Sequence, residues 1–322
     1  MMSSPFRTRK VVPVALAAAS FLSLSLGLSS SMATTVRADE PKGTADGESE
    51  TYRVVSFNIR YDNPRDGEDA WPKRRDRVAA LLLELSPDLI GLQEVLPRQR
   101  DDLRERMPGY EIYSVGRDDG ADRGEAATIL WKRDRFEQQG AETFWLSPTP
   151  DRPGSKGWDA ALPRIVSHVT LRDRTSGRIV HLFNTHFDHQ GETARRESGA
   201  LLRRRILESV GDQAWVAIGD LNARPDGVPL RRLRGLNDDG SVDDDQADTI
   251  WLDAYEAAAK RTGPDSTWNG FREIEPGQRI DHLIVAPSTT VESFDVLDRR
   301  YDGRFPSDHL PIVGTLRFEA SR

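Results

Sequence analysis

The stretch Trp215–Asn222, WVAIGDLN, decides how this 322-residue chain folds. Trp215 to Ile218 is an apolar run of strand length, followed at once by a glycine, an acid and an amide: Gly219, Asp220 and Asn222. The design recurs, because Phe57-Asn58, Gln93-Glu94, Asn184-Thr185-His186, Arg279-Ile280-Asp281 and Ser307-Asp308-His309 all adjoin strand-like runs. Those runs are Tyr52 to Ile59, Leu89 to Leu92, Ala126 to Trp131, Ile165 to Leu171, Ile179 to Asn184, Ile280 to Val285 and Ile312 to Phe318. They are too numerous for a helical bundle. Between them, Lys73 to Leu85 (Val78, Leu81, Leu82 and Leu85 on one side) and Glu192 to Val210 have helical spacing. Strands and helices without strict alternation predict an α/β sandwich with substantial antiparallel pairing, and no internal repeat is evident. Residues 51–322 read as one catalytic domain.

The N-terminal segment reads differently. Arg7, Arg9 and Lys10 precede an apolar or small run from Val11 to Leu28, the layout of a secretory signal. Residues 1–38 are expected to be a signal peptide cut after Ala38, with a cut near Met32-Ala33 as the alternative. The enzyme would then be secreted or periplasmic, with no stable membrane association. A retained leader would anchor it instead, although about 18 apolar residues span roughly 27 Å, slightly short of a bilayer core. Residues 39–50, DEPKGTADGESE, read as a flexible spacer.

The chain has no cysteine, which removes disulfides and thiolate metal sites from consideration. It has 45 Lys+Arg against 52 Asp+Glu; without Arg7, Arg9, Lys10 and Arg37 the basic count is 41 and the net charge about −11. Such a balance argues against a general polyanion binder, since non-specific nucleic-acid affinity comes from Lys and Arg on phosphates. Asn237 to Asp248, NDDGSVDDDQAD, reads as a solvated acidic loop without EF-hand ligand spacing.

The polar clusters suit one chemistry. A hard cation such as Mg²⁺ (or Mn²⁺) takes oxygen ligands, and Glu94, Asp308 and the Asn58 amide supply them. Two further carboxylates and two histidines remain to activate a water and stabilise charge at phosphorus.

Six blocks, SFNIR, GLQEV, NTHFDH, GDLNA, RIDH and SDHLP, run in this order from Ser56 to Pro311. Together they resemble the signature blocks of the endonuclease/exonuclease/phosphatase superfamily. The resemblance implies a four-layer α/β/β/α sandwich with two mixed, largely antiparallel central sheets, and metal-dependent hydrolysis of phosphoesters. Carried over by motif, Glu94 is the principal metal ligand, helped by Asn58 and Asp308. His309 contacts the phosphate or attacking water, oriented by Asp281; Asp220 positions or deprotonates the water; Asn222 binds phosphoryl oxygens; His186 stabilises charge or protonates the leaving oxygen. The base assignment between Asp220 and His309 stays open. GRDDG, FWLS and GSKGWDAALPR further resemble an often exported bacterial branch.

Those last phrases, and Trp71 to Arg75, are expected to form long loops around the site. There Arg75, Arg117 and Arg164 would grip phosphate oxygens and Trp158 would stack on a sugar or base. Asp188, two residues beyond His186, would share its face on an extended segment. Basic residues alternating with acids rank a small or carbohydrate-linked phosphodiester above nucleic acid. An extracellular nuclease is the alternative function, followed by a catalytically silent binding protein.

Overall fold

The computed structural model describes residues 51–242 and 249–319. The expected signal peptide and spacer, and residues 243–248 of the acidic loop, lie outside these. Among the described residues no helix is long and apolar enough to cross a membrane.

Thirteen strands form two sheets. In one, β1 (Thr51–Asn58), β2 (Leu89–Val95), β3 (Tyr110–Tyr113), β4 (Ala126–Lys132), β10 (Lys260–Thr262), β12 (Thr289–Val296) and β13 (Ile312–Phe318) lie in the order β10-β12-β13-β1-β2-β4-β3. In the other, β5 (Phe136–Trp145), β6 (Ile165–Asp173), β7 (Ile179–His186), β8 (Ala214–Asp220), β9 (Leu252–Asp253) and β11 (Asp281–Val285) lie in the order β5-β6-β7-β8-β11-β9. Pairing is antiparallel except at β1–β2, β7–β8 and β10–β12. The helices are α1 (Trp71–Leu85), α2 (Pro97–Arg106), α3 (Glu192–Val210), α4 (Val228–Arg234) and α5 (Ala254–Ala257).

Side-chain alternation sorts the core into three apolar layers. Val54, Leu89, Leu182, Val216 and Leu283 are buried between the sheets. Val55, Phe57, Ile90 and Leu92 face the other way and bury Val78, Leu81, Leu82 and Leu85 of α1. Phe183, Trp215 and Ile284 do the same with Leu201, Leu202 and Ile206 of α3. Central strands buried on both faces explain why their sequences read as continuous apolar runs rather than alternating ones. The result is an α/β/β/α sandwich of two mixed, mostly antiparallel sheets.

One polar link crosses the apolar middle. Gln93 Nε2 of β2 donates to Asn184 Oδ1 of β7 (2.7 Å), and Asn184 Nδ2 donates to the carbonyls of Leu92 (2.9 Å) and Thr128 (2.8 Å). All these side chains are buried. Gly91 makes the approach feasible: a Cβ there would sit 2.8 Å from Asn184 and 2.5 Å from Ile218.

The FWLS phrase is not a loop throughout. Phe144 and Trp145 end the ten-residue strand β5, whose polar outer residues hid it from an apolar-run reading. Trp145 is buried, and its indole N–H donates to the Arg117 carbonyl, so it fastens the GRDDG loop rather than lining a site.

Candidate active site

Strand register places the site. Parallel β7–β8 pairing sets His186 beside Asp220, and antiparallel β8–β11 pairing sets Asp220 opposite Asp281. Gly219 enables this register, since its φ is 149° and a Cβ would lie 2.0 Å from the Thr185 carbonyl. His309, on the loop before β13, completes the group: its Nδ1 is 2.8 Å from Asp281 Oδ2 and its Nε2 is 3.6 Å from Asp220 Oδ2. Asp220 Oδ2 is the hub, lying also 3.0 Å from Asn58 Nδ2 and 3.4 Å from His186 Nε2.

The charges are far from their solution behaviour. Burial, reinforced by repulsion from Asp281, raises the Asp220 carboxyl to about 7. Burial pulls His309 toward neutrality, but the Asp281 and Asp220 carboxylates outweigh it and push the imidazole up to about 10. His186 goes the other way: burial, then the Arg164 and Arg117 charges, hold it well below the usual 6.5. Its tautomer follows from the network. Asn222 Nδ2 is 3.0 Å from both the Phe187 carbonyl and His186 Nε2; donating to both makes Nε2 the acceptor and leaves the proton on Nδ1. Asn222 reaches this position with a φ of 46°.

The other sheet contributes Asn58 and Glu94 from adjacent strands, with Asp308 from the loop preceding β13. Glu94 sits at an irregularity in the β2–β4 ladder with φ 63°, in the sparsely populated left-handed region. Its carboxylate accepts from Asn58 Nδ2 (3.1 Å) and the Tyr61 backbone N–H (3.0 Å). The Arg60 N–H donates to Asn58 Oδ1 (3.0 Å), so the Asn58 amide turns its NH₂ toward Glu94 and Asp220. That orientation makes Asn58 a donor to two carboxylates, whereas the sequence reading cast its oxygen as a metal ligand. Arg60, which that reading overlooked inside SFNIR, places its guanidinium 4.0 Å from Glu94 Oε2 and 3.7 Å from Asp308 Oδ2.

A divalent cation fits these groups. Glu94 and Asp308 are hard oxygen donors already gathered around a positive charge. Ligand atoms of Asp220, Asp281 and His309 also lie within 4.8 Å of one another, and Asp281 Oδ1 is buried without a hydrogen-bond partner.

Beside Glu94 and His186 lies a small pocket lined by Arg117, Glu125, Ala127, Arg164 and Ile165. Arg117 pairs with Glu125 through both terminal nitrogens (2.8 and 3.0 Å). Arg164 is 5% exposed; its Nε lies 3.5 Å from Asp188 Oδ2, its Nη2 3.1 Å from His189 Nδ1, and its Nη1 lacks a hydrogen-bond partner. Buried N–H donors left open are costly in isolation and signal an anionic guest.

The other expected substrate contacts are elsewhere. Arg75 points into the α1–α2 seam, 3.0 Å from Asp102. Asp188 is buried and accepts from the backbone N–H groups of Ala161, Leu162, Gln190 and Gly191. Strand β7 stops at His186, so period-two alternation does not carry through to Asp188; its carboxylate organises the GSKGWDAALPR loop. Although burial favours the neutral acid, those four donors hold its pKa well below the usual range. Trp158, on the same loop, is 38% exposed with φ 53°. His168 and His181 hydrogen-bond each other on the α3 side of the sheet, and His282 turns to Asp253.

Comparison with known proteins agrees with this geometry. An endonuclease/exonuclease/phosphatase protein from Bacteroides vulgatus is 37% identical, with 84% of this chain and 100% of that one covered and a TM-score of 0.77. A mannosyl-6-phosphatase from Bacteroides thetaiotaomicron is 33% identical over 83% of this chain and 100% of its own, with a TM-score of 0.76. Tyrosyl-DNA phosphodiesterase 2 of Rattus norvegicus is 26% identical, covering 88% of this chain and 71% of that protein. Residues 55–309 match the Endonuclease/Exonuclease/phosphatase family, and the chain belongs to it.

Proposed function

We propose that the protein is an exported, divalent-metal-dependent hydrolase that removes a terminal phosphate from a small, soluble phosphoester. The observation carrying this reading is the pocket in which Arg117 and Arg164, whose Nη1 lacks a hydrogen-bond partner, adjoin Glu94 and His186. The 33% identity to a mannosyl-6-phosphatase supports a small-molecule substrate.

Glu94 and Asp308 would hold the cation, which when bound draws charge off the phosphoryl oxygens. Asp220, lifted toward neutral pH, is the group suited to orient the attacking water and take its proton. His309, kept charged by Asp281, stabilises negative charge and can donate to an oxygen. His186 Nδ1–H, buried without a hydrogen-bond partner, offers a neutral donor to the phosphoryl group, and the Asn222 amide holds that tautomer. Asn58 fixes the Glu94 and Asp220 carboxylates relative to each other. The leader of residues 1–38 supports export.

The test is turnover of a panel of sugar phosphates, nucleoside monophosphates, an aryl phosphodiester and plasmid DNA with Mg²⁺ or Mn²⁺. Hydrolysis of small monoesters that EDTA abolishes is expected. Plasmid nicking without monoester turnover, or activity indifferent to EDTA, refutes the reading.

A further inference from the structure

A cleft of about 590 Å³ is lined by the first turns of α3 and the segment from Asn222 to Pro229, and Asn222 ties it to His186 of the phosphate pocket. Asn222 belongs to both places: its amide donates to His186 Nε2 and its residue forms the cleft wall. A group attached to a phosphate held at Arg117 and Arg164 would therefore reach this cleft past His186 and Asn222.

The lining defines what it can hold. Glu192, Asp226 and Asp238 interleave with Arg195, Arg196 and Arg224, so neither sign of charge dominates. No aromatic side chain lines it, and its apolar contributors are the small Ala223, Val228 and Pro229. A nucleobase would find no stacking partner there, and a further phosphate would meet carboxylates. Paired carboxylate acceptors and guanidinium donors instead match groups that donate and accept at once, as adjacent hydroxyls do. Arg195 and Arg196 are engaged with the Asp188 carbonyl and with Asp238. Arg224 accepts from the Gly227 N–H through its backbone, but the Arg224 and Asp226 side chains make no hydrogen bond or ion pair to another described residue, which leaves both available to a ligand. The volume lies within the range of small-ligand sites.

We infer that this cleft is the subsite for a polyhydroxylated leaving group, a sugar, with Arg224 and Asp226 as its specificity-determining contacts. The inference rests on the proposed hydrolase reading, and its test separates the two. Kinetics of Arg224→Ala and Asp226→Ala would be compared with wild type on hexose 6-phosphates and on p-nitrophenyl phosphate. The ratio of kcat/KM for the sugar phosphate to that for the aryl phosphate should fall about tenfold in each variant, mainly through KM. Equal losses on both substrates, or a wild-type preference for nucleoside monophosphates, overturns the subsite. If wild type hydrolyses neither compound, the hydrolase reading fails, and calorimetry with Asp220→Asn still reads the cleft. Hexose 6-phosphate should then bind about tenfold tighter than inorganic phosphate, with the difference lost on adding Arg224→Ala. No difference between the two ligands overturns the assignment.

Discussion

Arg74 is the residue whose removal should reveal how the two loops bearing Arg60 and Asp308 are held. Its guanidinium is 1% exposed, and it donates to four backbone carbonyls: Asp69 (2.7 Å), Pro306 (3.2 Å), Arg60 (2.6 Å) and Ile59. Two of these acceptors immediately follow Asn58, and Pro306 lies two residues before Asp308. Arg74→Met keeps much of the apolar stem and removes every donor. The Ile59 and Pro306 carbonyls would then lie buried and unpaired, each costing ~1–3 kcal/mol, and the half-buried Asp69 carbonyl would lose its donor too, while the Arg60 carbonyl keeps that of Gln99. Partial relaxation and the relief of no longer burying a charge offset part of this, leaving about 3 kcal/mol. For a domain of this size that is a fall of roughly 6–12 °C in Tm, measurable by scanning calorimetry. Arg74→Lys should lie between the two, because a single ammonium cannot serve four carbonyls in fixed directions. Any phosphoester hydrolysis should slow as well, since the Arg60 and Asp308 loops lose their common anchor. A Tm for Arg74→Met within about 2 °C of wild type would refute the reasoning.

Three further outcomes follow from the same geometry. Gly91→Ala drives a methyl into Asn184 and Ile218 and should cost ~1–3 kcal/mol in urea denaturation, with Gly91→Ser at least as harmful. Glu94→Ala should weaken cation binding in calorimetry, while His309→Asn leaves it largely intact and lowers kcat by about 10²-fold or more; near-normal kcat in the latter removes His309 from the mechanism. His309 is raised to about 10 against its usual 6.5 by Asp281 and Asp220, so its charge stabilises the fold fully below pH 6.5, an effect lost as pH rises through 10. The urea midpoints of wild type and Asp281→Asn should therefore converge across that window, and a constant gap contradicts the pairing.

Much of this arrangement was legible because polar residues interrupt apolar runs that are otherwise unbroken. Asp220, His186, Asp281 and Glu94 are conspicuous in sequence because they lie at or beside the ends of strands whose neighbours cannot tolerate charge. What escaped notice was any group whose meaning depends on rotation about a helix or on a partner from another segment. Arg74 and Arg75 are adjacent in sequence, yet Arg74 shares the buried face of Trp71 and Val78 while Arg75 turns about 100° toward α2. A helical wheel through those two residues points to Arg74. Arg60 and Glu125 gave no local sign, since arginines and acids abound on the surface of this chain. Strand β5 lies at a sheet edge and is polar and exposed through its middle without alternation, so its pattern resembled loop sequence.

The amide contact between Gln93 and Asn184 has a consequence for how the enzyme meets its substrate. Apolar surfaces packed face to face resist separation but only weakly resist sliding, because dispersion and solvent exclusion have no preferred lateral position. A directional polar contact in the middle of that surface acts as a dowel, and Gly91 lets it seat. Glu94 follows directly on Gln93, and His186 lies two residues beyond Asn184, so each side of the joint carries one wall of the reaction chamber. Their separation is therefore set when the polypeptide folds and need not be reached by closing around a guest, leaving the energy of ligand contact free to act on the transition state.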